Sequence, residues 1–285
     1  MMNFTDAFIR EVRTQSARGG RIILMDVGAN DGQWSQKLMQ KLKRETSQPH
    51  KKIPVELILF EPQRSFRSKL RAVADKWNGT FVPAAAWIEE AQLDVQQGSD
   101  SQRARIVSHG TTGGTAEGAD ALVKQRTHAI DFVRFFEETV PKDALVYLKL
   151  DIESAEYVVL PRLLTSGIFC RISFLHIEWH LNQLPEEQRL EAYGMRKAFK
   201  MLHRRGCATG PGVRPRLLVQ EEYRGMNYDE MVPGLLADAA QHAKPHPQSW
   251  RLSPVRGMIK KLGVVYKAEF RYNVTTKFYT YIDGV

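Results

Sequence analysis

Cysteine is nearly absent from this sequence: Cys170 and Cys207 are the only two in 285 residues, and neither belongs to a CxxC pair. That scarcity argues against a disulfide framework or a cysteine zinc site and points to a reducing compartment, the cytoplasm by default. Also missing is any apolar run near the ~20 residues needed to span a bilayer, so no transmembrane segment is expected. The first residues lack the pattern of a secretory signal, because Phe4, Phe8, Ile9 and Val12 recur at the spacing of one helix face. Arg10, Arg13, Arg18 and Arg21 leave an organellar address open, although Asp6 and Glu11 interrupt that pattern. Acidic residues are missing from Lys244 to Ala268, where basic residues alternate with Trp250 and Tyr266. In a chain of net charge +9, this stretch suits an acidic or nucleic-acid partner, or simply a solvated basic face.

What is present is an alternation of apolar runs and helical patterns, as βαβ units produce. Strands are expected at Arg21 to Val27, Val55 to Glu61, Thr80 to Trp87, Ala144 to Leu150 and Ile172 to Glu178. Helices are expected at Trp34 to Lys43, Arg64 to Trp77, Asp131 to Val140, Ser154 to Thr165 and Pro185 to Arg205. Residues 91–130 read as short polar strands around a Gly-rich loop, His109 to Thr115, that could close over a substrate. From Gly206 to Gly263 prolines break the pattern, which reads as an irregular basic insertion; Val264 to Phe270 and Lys277 to Ile282 then form a closing antiparallel pair. The expected architecture is one domain over residues 1–285, with an N-terminal helix in residues 1–20. Its fold class is α/β, a doubly wound, mostly parallel seven-stranded Rossmann-like sheet with an antiparallel C-terminal hairpin. Ligands in such sheets bind at the carboxyl ends of the strands, near the point where strand order reverses.

The strand ends carry the chemistry. The first opens into DVGANDGQWS, residues 26–35, with Gly28 and Gly32 free of side chains and no Lys or Arg among the ten residues. Phosphate loops need a G-x-G-x-x-G or G-K-S/T arrangement, which is missing here. Negative charge from Asp26 and Asp31 suits a cationic, phosphate-free ligand, and S-adenosylmethionine fits. Glu61 ends the second strand, where an acid accepts hydrogen bonds from ribose hydroxyls. The small run Ala84-Ala85-Ala86 ends the third, where an adenine ring could lie flat. The fourth opens into Asp151, Glu153 and Glu156, with Ser154 placed as a helix N-cap and Glu156 in the first turn. The fifth carries His176, Glu178 and His180, which alternate onto one face of a strand. With Asp151 they could hold a divalent cation or form a base and its orienter; both readings stay open, and no metal ligands are assigned.

Together these blocks resemble the FkbM family of S-adenosylmethionine-dependent methyltransferases. DVGANDGQWS is similar to its D-V-G-A-N-x-G-x-x-S signature, FEPQRSFRSKL to its second block, LKLDIESAEYVVL to L-K-x-D-x-E-G-x-E-x-x-x-L, and HIEWH to its strand ending in I-E-x-H. The resemblance covers about residues 20–182, and Ser154 stands where the family has glycine. It implies a class I methyltransferase fold in which Gly28, Asn30, Gly32 and Glu61 hold the cofactor, with Asp151 near its methionine end; Asp26 and Ala85 join these cofactor candidates by their places at the strand ends. It also implies methylation of a hydroxyl oxygen, often on a sugar or polyketide, so a small-molecule or glycan acceptor is expected. Asp151 or His180 is the candidate base, with Glu178 orienting the histidine. Two other functions remain: a protein or RNA methyltransferase using the 244–268 stretch, and a non-catalytic subunit of a larger assembly built on the same fold.

Overall fold

The computed structural model describes residues 4–46, 55–97, 104–107, 123–184, 188–189, 192–196, 199, 218–223, 270–273 and 278–281. In chain order the elements are α1 (Phe4–Ala17), β1 (Ile22–Val27), α2 (Gln33–Thr46), β2 (Glu56–Phe60), α3 (Arg67–Trp77), β3 (Thr80–Val82), β4 (Ala85–Trp87), β5 (Ala91–Gln97) and β6 (Ala104–Val107). They continue as β7 (Val123–Asp131), α4 (Phe132–Thr139), β8 (Leu145–Leu150), α5 (Glu156–Ser166), β9 (Phe174–Trp179), β10 (Leu218–Tyr223), β11 (Phe270–Asn273) and β12 (Phe278–Tyr281).

The main sheet has the order β10-β9-β8-β1-β2-β3, and every neighbouring pair in it is parallel. Strand order reverses at β1, which lies between β2 and β8, so the crevice at the carboxyl ends of these strands is the expected ligand position. Alternation along β1 builds two cores: Ile22 and Leu24 enter one, while Ile23, Met25 and Val27 enter the other. Helix α1 covers the first with Ala7, Phe8, Ile9 and Val12, and Phe8 meets the rings of Tyr147 and Phe174 edge-on. Helices α2 and α3 join it through Leu38, Met39, Leu42, Leu70 and Val73. The other core takes Phe132 and Phe136 from α4 and Leu160 and Leu163 from α5. Helix α4 starts where Asp131 accepts the Arg134 N–H as an N-cap.

Four expectations are corrected. Among the described residues the main sheet has six strands, not seven, and a separate four-stranded sheet runs β4-β7-β5-β6. The expected strand Thr80 to Trp87 divides at Pro83: β3 pairs with β2, while β4 pairs with β7 of the second sheet. Proline donates no hydrogen bond to a ladder, so pairing breaks there and the chain changes sheets. The closing pair β11–β12 is antiparallel as expected, although β11 begins at Phe270, where the expected first strand ended, and the pair forms its own two-stranded sheet rather than an edge of the main one. The sixth main-sheet strand is β10, from within the stretch expected to be irregular. The remainder of residues 206–263, the His109 to Thr115 loop and the basic 244–268 stretch lie outside the described residues.

Cys170, in the turn Ile168–Arg171 after α5, is disulfide-bonded, which corrects the expectation of two unpaired thiols and removes the basis for inferring a reducing compartment. Cys207 lies outside the described residues. Among the described residues no helix is long and apolar enough to cross a membrane.

Candidate functional site

The carboxyl ends of β1, β2 and β8 converge on a partly open cavity. Gly28, Asn30, Glu61, Gln63 and Asp151 are in its wall, with Ala84, Ala85 and Ala86 as a flat apolar side and Val95 contributed by the second sheet. That sheet is latched to the turn after β2: Gln125 Nε2 donates to the Pro62 carbonyl at 3.1 Å and accepts the Arg64 N–H at 3.3 Å through Oε1.

At the end of β1 the backbone turns back on itself. The N–H groups of Gly28 and Ala29 both donate to the Phe60 carbonyl, at 3.1 and 2.9 Å. Gly28 has φ +86°, the left-handed region where a side chain is costly. Asn30, at φ +52°, donates its N–H to Glu61 Oε2 at 2.9 Å. The Gln63 N–H donates to Glu61 Oε1 at 2.9 Å, so both carboxylate oxygens are pinned by main chain. Glu61 is 3% exposed, and burial pushes its pKa up to about 7 against the lowering effect of those two N–H donors.

Two of the sequence-predicted cofactor residues lie off the cavity wall. Gly32 is also in the left-handed region, but a β-carbon there would meet Leu70 at 3.0 Å and Val73 at 3.1 Å, so its smallness serves the packing of α3. Asp26 is wholly buried beneath the cavity, accepting the Ser35 hydroxyl at 2.5 Å and facing the Lys149 ammonium at 3.3 Å. Lys149 is the residue the sequence reading passed over. Its Nζ donates to Asp151 Oδ2 at 2.8 Å and lies 5.5 Å from the Trp34 ring centroid. Burial opposes its charge, but Asp26 and Asp151 outweigh that and raise its pKa. The signal was visible: a lysine inside the apolar strand Leu145–Leu150 needs a buried counter-charge.

The turn after β8 and the end of β9 bring the remaining acids together. Glu153 and Ser154 both have positive φ, +53° and +83°, and α5 begins at Glu156 with Ala155 as its flanking residue. Ser154 is therefore not the N-cap expected for this helix. Glu156 is in the first turn as expected, but it is wholly buried, and Oε1 accepts the Ile152 N–H at 2.7 Å and faces His180 Nδ1 at 3.0 Å. Around His180 Nε2 stand Glu153 Oε2 at 3.5 Å, Asp151 Oδ1 at 3.6 Å and Glu178 Oε1 at 3.7 Å. Glu178 thus stays beyond hydrogen-bonding range of the histidine, and Glu156 takes the orienting place. Burial opposes the charge on His180, but Glu156, then Glu153 and Asp151, outweigh it and lift its pKa to about 9. His176 does not join this group; it packs edge-on against Trp34, with Nδ1 3.4 Å from the Tyr147 hydroxyl. Glu153 accepts a hydrogen bond from Gln183 Nε2.

A parallel sheet with its cavity at the switch point, an acid pinned at the tip of β2 and a second acidic group at the tips of β8 and β9 is consistent with the motif resemblance. Residues 26–207 match the family model of the methyltransferase FkbM domain. The chain belongs to that family. The match begins at Asp26, at the end of β1, and extends beyond the last residue of β9. No curated protein and no solved structure matches the chain. Within this FkbM domain the exchange at Ser154 falls on a residue with left-handed backbone, where the family's glycine carries no steric cost.

Proposed function

We propose that this FkbM-domain protein is an S-adenosylmethionine-dependent methyltransferase that acts on a hydroxyl oxygen of a sugar or other small molecule. The observation that carries the reading is Glu61: a buried carboxylate at the tip of β2, held by two backbone N–H groups in the wall of a cavity. Carboxylate oxygens have lone pairs beyond those two bonds, enough to accept both ribose hydroxyls. Beside it Ala84, Ala85 and Ala86 leave a flat apolar side for adenine, and Gly28 lets the cofactor approach the main chain. Asp151, at the end of β8, supplies negative charge for the ammonium or sulfonium end. Bound there, S-adenosylmethionine supplies a sulfonium methyl whose C–S bond breaks as the acceptor oxygen attacks, its electron pair returning to sulfur as a neutral thioether.

The chain's own contribution is placement. Holding acceptor and methyl in attack geometry is worth several kcal/mol of the barrier, about 7–11 in well-oriented systems. Asp151 lines the cavity wall and would receive the acceptor's hydrogen bond and take its proton as the C–O bond forms, with the buried Glu178 and His180 beside it. Val95 of the second sheet lines one side of the cavity.

Calorimetric titration with S-adenosylmethionine, beside a Glu61→Ala variant, tests the reading. Micromolar binding that disappears in the variant supports it and justifies an acceptor screen beginning with glycans. Failure of the wild-type protein to bind refutes it.

A further inference from the structure

We infer that Asp151, Glu178 and His180, with Glu153 beside the histidine as an outer carboxylate, form a binding site for a first-row divalent cation such as Mn²⁺. One ligand atom each from Asp151, Glu178 and His180 lie within 4.8 Å of one another. The distances from His180 Nε2 to Glu153, Asp151 and Glu178, 3.5, 3.6 and 3.7 Å, are too long for good hydrogen bonds. They suit ligands sharing a cation: two donor atoms each ~2.1 Å from a metal, at octahedral or tetrahedral angles, stand about 3.0–3.4 Å apart. Side-chain rotation that draws the carboxylate oxygens inward from the 4.8 Å limit would bring these ligand atoms onto one ion.

The histidine is the second, independent observation. His180 is 2% exposed, and its Nε2 has no hydrogen-bond partner although it points into the carboxylates. Its other nitrogen, Nδ1, is held by Glu156 at 3.0 Å, and Glu156 is itself fixed by the Ile152 N–H at 2.7 Å. A metal-ligating histidine commonly donates its second ring N–H to a carboxylate, which presents the lone pair of the first to the ion. Glu156 is thus a positioning residue. Four carboxylates surround one imidazole here, so even a protonated His180 leaves the locus negative, and a divalent ion supplies the balance. One imidazole with several carboxylates favours Mn²⁺ or its neighbours over the all-oxygen shell typical of Ca²⁺.

Asp151 belongs both to this group and to the cavity wall, so the ion would face the transfer site. Resting on the methyltransferase reading, its use there is to bind the acceptor hydroxyl and lower the pKa of that O–H. The cation site itself stands on geometry alone.

The experiment is titration of the EDTA-treated, dialysed full chain with MnCl₂, followed by calorimetry and electron spin resonance, with an S-adenosylmethionine titration in parallel. The expected result is one Mn²⁺ per chain at micromolar affinity, with nitrogen coupling from an imidazole in the spin-echo spectrum. Glu178→Gln should weaken Mn²⁺ binding at least about tenfold, and Glu156→Gln about 10- to 100-fold, without abolishing cofactor binding. Cofactor binding without Mn²⁺ binding overturns the cation site and leaves the methyltransferase reading standing. Mn²⁺ binding unchanged by both variants, or without nitrogen coupling, places the ion elsewhere and also overturns it. Mn²⁺ binding with nitrogen coupling but no cofactor binding supports the cation site while removing the methyltransferase reading.

Discussion

A β-carbon on Gly28 would stand 1.7 Å from the carbonyl oxygen of Asp151, so the turns after β1 and β8 pack main chain against main chain at this point. Both turns border the cavity, and their separation is set by the absence of one methyl group. Gly28→Ala should therefore fail twice, through the clash with backbone and through φ +86°. The left-handed strain alone costs about 1–2 kcal/mol, and the displaced turn adds to it. A fall in the thermal midpoint of several degrees together with loss of cofactor binding is the expected outcome. A variant that melts and binds like the wild type would show that the two turns can separate freely.

Glu61 makes a pH prediction. Its carboxyl titrates at about 7 in the free protein, and the ionised form is the better acceptor for ribose hydroxyls. Cofactor affinity should then tighten as pH rises through 7, with roughly a tenfold loss per unit well below it if only the carboxylate binds. Stability runs the other way. A folded-state pKa raised above the ordinary 4.5 means that ionisation opposes folding, so the Glu61 contribution is intact below that value and is lost as pH rises to about 7. Titrations of wild type and Glu61→Gln across this window decide it: the wild-type affinity should slope with pH, and that of the variant should be flat or absent.

The strands and helices flanking β1, β2 and β8 were legible because buried parallel strands read as continuous apolar runs and their helices as amphipathic stripes. Strand β10 was not, because it lies in a proline-punctuated stretch with little contrast. The second sheet was only partly visible, since nothing in Thr80 to Trp87 except Pro83 shows that one apolar run serves two sheets. Glycines were legible as turn residues but not by purpose: Gly28 borders the cavity, while Gly32 makes room for α3. Glu156 had an adequate local explanation at a helix start, and its contact with His180, 24 residues away, is tertiary information that spacing does not carry.

Ser154 offers a test of strain at the family's glycine position. Its φ of +83° is uncommon for a residue with a β-carbon. Ser154→Gly should relieve about 1 kcal/mol of backbone strain, part of which returns as the greater chain entropy of glycine in the unfolded state. A modest rise in the urea midpoint with an unchanged slope is expected. A clear fall would mean that the serine side chain makes an interaction worth more than the strain.

Lys149 adds charge to the contact between the two turns. Its ammonium lies between Asp26, wholly buried, and Asp151, and it reaches the Gly28 carbonyl at 3.4 Å. Removing one partner of a buried ion pair leaves the other charge without compensation, which costs about 3–5 kcal/mol. Lys149→Met keeps most of the side-chain volume over Trp34 while deleting the charge, so its loss of stability reports electrostatics rather than a cavity. Adding Asp26→Asn to that variant should restore a large part of the loss, because the stranded carboxylate is then gone. The pair of urea denaturation curves separates the two explanations. Recovery in the double variant assigns the cost to the unpaired acid, whereas additive losses would mean that Lys149 and Asp26 act independently and that Lys149 contributes through packing rather than charge.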